Sequence, residues 1–255
     1  MNQNQQEILA EDTQIQEQPT WNHEKGVWHG DRALQNIEIP DPLWIFGYGS
    51  LCYKNTEMDY DEVVDCQLNG YIRRFWQKTY DHRGTIENPG LVCTIVSEDE
   101  IQQLKENGEY SEQEDQLCKD EKGNYIGHYV WGKAFKIKKE SVHEVLDKLD
   151  FREKGGYSRD IVELIHRGPN NQKQTIKAVL YRGNVENPAF LECQEKRKNL
   201  HQQAETIATA QGASGHNLEY FMKLYYYLQE QDQLDEYMEL LKQEVDQKLS
   251  RNKKQ

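Results

Sequence analysis

The sequence predicts an α+β fold: a small mixed or closed β-sheet followed by a helical C-terminal region. Strand-like segments rich in β-branched and aromatic residues fill the middle of the 255-residue chain, and short turn-like segments separate most of them. Only one helical pattern interrupts the strands, which disfavours a repeating βαβ unit. The last 60 residues have helical periodicity instead.

About six segments have strand character. They are LWIFGY (43–48), VVDCQLNGYIRRFWQKT (63–79), LVCTIVS (91–97), HYVWGKAFKI (128–137), RDIVELIH (159–166) and TIKAVLYRG (175–183). A helix is predicted between the fourth and fifth strands, where Val142, Val145, Leu146 and Leu149 form one apolar stripe that ends before Gly155 and Gly156. Three further helices are predicted, over 204–211, 218–228 and 234–249.

Composition divides the chain into a polar N-terminal part and a folded domain. Residues 1–43 are predicted to be a polar tail and an irregular connector, partly disordered, and residues 44–250 to form the domain. Within the domain, residues 97–127 carry ten acidic and three basic side chains. We expect this stretch to be an inserted, solvated loop, with a functional acidic tether as the alternative.

Charge and residue usage exclude several classes of function. The net charge of −13 argues against nucleic-acid binding and against anionic membranes. No apolar run approaches the about 20 residues of a membrane-spanning helix, and the N-terminus has neither a secretory nor an Arg-rich targeting pattern. Five widely spaced cysteines without a C-x-x-C pair indicate reduced thiols of a cytoplasmic protein, with no disulfide framework and no zinc site.

Three short motifs could carry chemistry. Phe46–Leu51 contains two glycines around a tyrosine, a turn whose backbone N–H groups could converge on an anion; the alternative is an ordinary strand end. Glu153, before the glycine pair, could exchange protons in a cleft or lie solvated between Arg152 and Lys154. The DHRG segment at 81–84 could hold a substrate carboxylate or form a hydrogen-bonded turn.

Taken together, these segments resemble the ChaC-like γ-glutamylcyclotransferases specific for glutathione. The resemblance rests on six strings in family order, which are WIFGYGSL (44–51), RRFWQ (73–77), DHRG (81–84), VWGKAF (130–135), LDFREKGGY (149–157) and GASGHNLEYF (212–221). They span about 180 residues of the chain. The sequence departs from the family in its first 43 residues, in the acidic insertion, and at Cys52 and Tyr53, where an aliphatic residue and a tryptophan are usual.

The resemblance implies a fold, an activity and a site. The fold would be a small mixed β-barrel flanked by helices, and the activity cleavage of glutathione into 5-oxoproline and cysteinylglycine. It implies that Glu153 is the catalytic carboxylate and that Ile45, Phe46, Gly47, Tyr48, Gly49 and Ser50 bind substrate. The reaction would need no cofactor and no metal, because the substrate's own α-amine attacks its γ-carbonyl.

Two alternatives stay open at this stage. One is a cyclotransferase acting on other γ-glutamyl compounds. The other is a non-catalytic scaffold or assembly subunit with the same fold, in which the N-terminal tail could bind a protein partner.

Overall fold

The structure is a computed structural model that describes residues 20–22, 27–29, 37–54, 58–118, 127–152, 157–168, 170 and 172–252. The strands are β1 (Thr20–Asn22), β2 (Val27–His29), β3 (Trp44–Gly47), β4 (Tyr60–Asn69), β5 (Tyr71–Thr79), β6 (Gly90–Ser97), β7 (Tyr129–Ile137), β8 (Ser158–Arg167), β9 (Lys173–Arg182), β10 (Gln211–Gly212) and β11 (Gly215–His216). The helices are α1 (Glu98–Glu106), α2 (Glu112–Gln116), α3 (Val142–Arg152), α4 (Gln194–Lys198), α5 (Leu200–Thr209), α6 (Asn217–Glu230) and α7 (Glu236–Asn252).

Five strands close into a barrel in the order β3-β7-β4-β8-β9. The barrel closes because β3 pairs with β7 antiparallel on one side and with β9 in parallel on the other. Ile45 therefore faces Phe135 across one ladder and Val179 across the other. The predicted small mixed barrel with helices around it is confirmed. Within it, β3 is hydrogen-bonded to a neighbouring strand on each side.

The long segment predicted as one strand over 63–79 is two strands. Gly70 separates β4 from β5 with a φ of +79°, a left-handed conformation that glycine adopts without steric cost. β4 joins the barrel, whereas β5 pairs with β6 in a separate two-stranded sheet. Phe75 and Trp76 of β5 are buried against the C-terminal helices, where Phe221 lies edge-on to Phe75 with ring centroids 5.3 Å apart.

The expectation of a solvated loop in the acidic insertion is wrong over residues 98–118. Ser97 and Glu100 form a reciprocal capping box that begins α1, and Ile101 and Leu104 bury its apolar face. The acidic side chains are partly internal, since Glu114 of α2 is buried in an ion pair with Arg74 at 2.7 Å. The charge count misled the prediction because it ignored cations elsewhere in the chain that pair with these carboxylates.

The predicted irregular connector contains a short antiparallel pair instead. Strands β1 and β2 pair so that Trp21 lies opposite Trp28 in the backbone register. Residues 1–19 of the predicted tail lie outside the described residues. The division into residues 1–43 and 44–250 stays a prediction.

The predicted helices are confirmed with shifted boundaries. α3 covers the apolar stripe, and Val145, Leu146 and Leu149 are buried in a cluster with Ile45 and Phe135. α5, α6 and α7 correspond to the three helices predicted at the C-terminal end. Two hydrophobic clusters thus flank the barrel wall. α3 packs in the cluster that contains Ile45 and Phe135, and α6 and α7 pack in the other cluster.

Candidate active site

The end of β3 continues into a tight turn that its own backbone bonds hold in place. The Cys52 N–H donates to the Gly49 carbonyl at 3.0 Å, and the N–H groups of Tyr53 and Lys54 donate to the Ser50 carbonyl at 3.2 and 2.8 Å. Ile45, Phe46 and Tyr48 are buried, whereas Gly49 and Ser50 are half-buried. The predicted substrate-binding segment is therefore rigid at its strand end and accessible at Gly49 and Ser50.

Glycine is required in this turn because other atoms pack directly against it. A Cβ atom on Gly47 would lie 2.4 Å from Leu51 Cβ, and one on Gly49 would lie 3.0 Å from Tyr220 Oη. Gly132 of β7 supports the turn from the barrel wall, since a Cβ there would be 2.4 Å from the Gly47 carbonyl oxygen. The turn thus approaches its neighbours more closely than residues with side chains allow.

The turn presents unused hydrogen-bond donors. The backbone N–H groups of Gly49, Ser50 and Leu51 donate to no acceptor in the part of the chain that the structure describes. Adjacent free N–H groups at such a turn attract a carboxylate or another anion. Ile45 and Phe46 differ, because both lie within the barrel ladders and their side chains belong to the core.

Glu153 lies outside the described residues, together with Lys154, Gly155 and Gly156. The residue before them is Arg152, the last residue of α3, which donates from Nη2 to Ser50 Oγ at 3.0 Å. The residue after them is Tyr157, which contributes, after burial, Cys93 and Tyr53, to the raised pKa of Tyr220. The residue before the 153–156 segment therefore contacts the glycine turn, and the residue after it lies near Tyr220.

The DHRG segment forms a hydrogen-bonded turn against the loop before α6. Asp81 Oδ1 accepts from the His82 N–H at 2.6 Å, and the carbonyls of Asp81 and His82 accept from the N–H groups of Ala213 and Ser214, both at 2.9 Å. The Arg83 guanidinium pairs with Glu219 at 3.2 Å. The segment thus forms the predicted hydrogen-bonded turn. This does not exclude a substrate carboxylate at Arg83, whose guanidinium lies 5.9 Å from the centre of the Tyr220 ring.

Tyr53 and Tyr220 form a wall beside the turn that sequence reasoning missed. Their ring centroids are 6.3 Å apart in an edge-to-face arrangement, and the Tyr220 hydroxyl accepts the Cys93 N–H at 3.2 Å. The two tyrosines come from segments that are far apart in the chain. Their spacing in the sequence carries no signal of contact, although Tyr220 lies within the GASGHNLEYF string of the family resemblance.

The cysteine thiols near the turn are buried and protonated. Burial raises the pKa of Cys52 to about 11 and that of Cys93 to about 12. The Cys52 thiol donates to the Gly47 carbonyl at 3.3 Å and so supports the turn. Within the described ranges, no group of three or more His, Cys, Asp or Glu side chains is placed to hold a metal ion.

Comparison with known proteins defines the class of protein to which this barrel and turn belong. The sequence model of the ChaC-like protein family matches residues 43–248. A protein of Schizosaccharomyces pombe named glutathione-specific γ-glutamylcyclotransferase is 30% identical over 191 residues, which are 75% of this chain and 85% of that protein. Glutathione-specific γ-glutamylcyclotransferase 1 of Danio rerio is 33% identical over 184 residues, covering 71% of this chain and 76% of that protein.

A solved structure shares the architecture. The crystal structure of a yeast γ-glutamylcyclotransferase specific to glutathione superposes with a TM-score of 0.68 at 26% sequence identity, covering 80% of this chain and 96% of that one. The chain therefore belongs to the ChaC-like family. None of the helices in the described part of the chain is both long and apolar enough to cross a membrane.

Proposed function

We propose that this protein is a glutathione-specific γ-glutamylcyclotransferase that converts glutathione into 5-oxoproline and cysteinylglycine. The observation that carries the proposal is the hydrogen bond from Arg152 to Ser50, which joins the helix leading to Glu153 to the glycine turn. The names of the relatives support glutathione as the substrate, and they favour an enzyme over a scaffold.

In this proposal the segment Ile45–Ser50 binds the γ-glutamyl end of the substrate. Ile45 and Phe46 fix the strand within the barrel, and Gly47, Tyr48, Gly49 and Ser50 reach the ligand. The free N–H groups at Gly49 and Ser50 hold the α-carboxylate, which is the anion that such a turn favours. Holding this end folds the α-amine toward the γ-carbonyl, and enforced proximity can contribute several kcal/mol to an intramolecular reaction.

Glu153 acts as the general base and acid. The substrate's α-ammonium cannot attack until it loses a proton, which the Glu153 carboxylate accepts. The amine nitrogen then forms a bond to the γ-carbon, and the bond from that carbon to the cysteinyl nitrogen breaks. Glu153 returns this proton to the leaving nitrogen, and the second proton that the ring nitrogen loses on becoming the lactam amide takes the same route. Cysteinylglycine then leaves with an ammonium group, and the lactam closes without water. Assistance of this kind accelerates reactions by roughly 10²–10⁴-fold.

The test follows both products from the purified protein by mass spectrometry, with Glu153→Gln as the variant. Glutamine keeps the shape of the side chain and removes its proton-accepting function. We expect turnover to fall at least about 10²-fold while glutathione still binds. Turnover close to that of the native protein would exclude Glu153 as the base. Glu140→Gln, on the exposed turn before α3, is the matched control and should retain activity.

A panel of γ-glutamyl amino acids and amines, offered to the same protein, tests the specificity for glutathione. Comparable kcat/KM values across the panel would favour the broader cyclotransferase alternative. We also propose that the protein acts in the cytoplasm and binds neither nucleic acid nor membrane, in keeping with its net charge of −13. Fractionation of cells that express the tagged full chain tests the location.

A further inference from the structure

Arg83 of the DHRG turn uses only one nitrogen of its guanidinium for hydrogen bonds within the described part of the chain. Nη1 donates to the His216 carbonyl at 3.1 Å and to Glu219 Oε2 at 3.2 Å. Nε and Nη2 donate to no acceptor among the described residues, and neither is sealed from solvent. The N–H groups of these two nitrogens form the side-on fork of the guanidinium, whose geometry matches the two oxygens of a carboxylate. The fold therefore leaves this fork of Arg83 available to a ligand.

The backbone around Arg83 is held in one place. A Cβ atom on Gly84 would lie 2.0 Å from the Gly90 nitrogen, and one on Gly90 would lie 2.2 Å from the Arg83 carbonyl oxygen. The carbonyls of Asp81 and His82 accept hydrogen bonds from the loop before α6, both at 2.9 Å. The Arg83 side chain is only 13% exposed, so it is largely ordered before a ligand arrives. Binding to a pre-organised fork costs little conformational entropy.

One tyrosine side chain separates the fork from the glycine turn. The Arg83 Cζ atom lies 5.9 Å from the centre of the Tyr220 ring, and a Cβ atom on Gly49 would lie 3.0 Å from Tyr220 Oη. The charge of Arg83 also acts on Tyr53, where burial raises the pKa of the phenol and the guanidinium opposes that rise. Three extended residues span about 10 Å. A tripeptide held by the turn at one end can therefore reach the fork with its other end.

The charges around the fork favour an anion. Glu219 is the acid that pairs with Arg83, and its second oxygen, Oε1, accepts from Lys223 at 2.6 Å. One carboxylate is thus shared between two cations, which leaves this group of three side chains with a positive charge. A carboxylate bound by both N–H groups of the fork gains two parallel charge-assisted hydrogen bonds.

We propose that Arg83 binds the glycine carboxylate of glutathione through Nε and Nη2. The inference rests on the proposed function, in which the turn holds the α-carboxylate and the γ-carbonyl stays beside the α-amine that attacks it. The glycine carboxylate is then the remaining anionic group at the far end of the tripeptide. Because γ-glutamyl amines lack this carboxylate, Arg83 determines part of the specificity for glutathione.

The test measures the kinetics of Arg83→Gln and Arg83→Lys on glutathione and on glutathione amide, in which the glycine carboxylate is capped. Glutamine removes the charge and the fork, so we expect KM for glutathione to rise at least about tenfold with kcat unchanged. Lysine keeps the charge without the fork, and its KM should lie between those of the native protein and Arg83→Gln. On glutathione amide the native protein should already show the raised KM, and neither substitution should raise it further. A native kcat of the variants on the amide shows that they are folded.

Arg251→Gln removes an exposed positive charge from the last turn of α7 and is the matched control, with unchanged kinetics on both substrates. An unchanged KM of Arg83→Gln for glutathione would overturn the assignment. An equal rise in KM on both substrates would also overturn it, because the effect would then not depend on the glycine carboxylate. A native protein that releases no 5-oxoproline from either substrate would overturn the proposed function itself. An active native protein whose kinetics do not respond to Arg83→Gln would overturn this inference alone.

Discussion

Arg152 and Ser50 are 102 positions apart in the chain, yet the Arg152 guanidinium donates to the Ser50 hydroxyl at 3.0 Å. The bond joins the end of α3 to the turn after β3. Since Glu153 is the next residue, the position of the proposed base depends on the turn that would bind the substrate. Any loosening of this link should disturb the alignment of the base with the α-amine.

Replacing Ser50 by alanine tests that dependence. Ser50→Ala removes the acceptor of a charge-assisted hydrogen bond, which is typically worth about 1.5–3 kcal/mol when buried and less where solvent reaches it. We expect kcat/KM for glutathione to fall about tenfold. Ser250→Ala, which removes an exposed hydroxyl bonded to the Asp246 carbonyl in α7, is the control and should leave steady-state kinetics unchanged. Equal kinetics for the two variants would show that the link does not position the base.

The buried pair of Arg74 and Glu114 should make the acidic insertion essential for stability. The side chains are only 2% and 4% exposed, and Glu114→Gln would leave the guanidinium buried without its counter-charge. Breaking such a pair typically costs about 3–5 kcal/mol. We expect the free energy of unfolding, measured in urea, to fall by about this amount.

Glu112→Gln on the exposed side of α2 is the matched control for Glu114→Gln, and it should change stability by less than about 0.5 kcal/mol. If the two variants were equally stable, α2 would not be packed on the body of the protein as the structure describes.

Most of the fold could be predicted from the sequence because the signals for its elements are local. Apolar periodicity identified α3, and β-branched and aromatic runs identified the barrel strands. Gly70 stands near the middle of the segment predicted as one strand, but whether a glycine bends a strand or divides it depends on the partner strands. Those partners are distant in sequence, since β4 pairs with β7 and β5 with β6.

The acidic insertion and the tyrosine wall show what local patterns omit. Glu114 is acidic in any composition count, and only the fold shows that Arg74 compensates it internally. Tyr53 and Tyr220 meet because α6 packs behind the turn, which is a tertiary contact with no sequence period. The turn itself was recognised from its glycines, whereas the bond between Arg152 and Ser50 required the folded chain.

A side chain larger than hydrogen at Gly49 should impair substrate binding. A Cβ there would lie 3.0 Å from Tyr220 Oη, so Gly49→Val would push the turn or the tyrosine out of place. We expect KM for glutathione to rise at least about tenfold, because a displacement of the turn misaligns its N–H donors. Unchanged substrate affinity would count against the turn as the binding element.

The contact with Tyr220 can be isolated with a double substitution. Gly49→Ala should weaken binding less than valine does, and adding Tyr220→Phe removes the atom that the new methyl group meets. If the contact causes the defect, the double variant should bind glutathione better than the sum of the two single effects predicts. Additive effects would mean that the backbone of Gly49, and not its approach to Tyr220, limits the substitution.

Glu192 should make stability depend on pH in the acid range. Burial alone would raise the pKa of this carboxyl, but hydrogen bonds from Lys78 and Lys196 outweigh it and lower the pKa from 4.5 to about 2. The stabilisation is therefore complete above about pH 4.5 and is lost as the pH falls toward 2. Because the side chain is 50% exposed, solvent screening limits the gain to about 1 kcal/mol.

The free energies of unfolding of Glu192→Gln and the native protein, measured in urea, should differ by about this amount at pH 7, and the difference should shrink between pH 5 and pH 3. Glu195→Gln in the adjacent helix α4 removes an equal charge without these two lysine bonds, and a similar pH trend for that control would assign the effect to net charge alone.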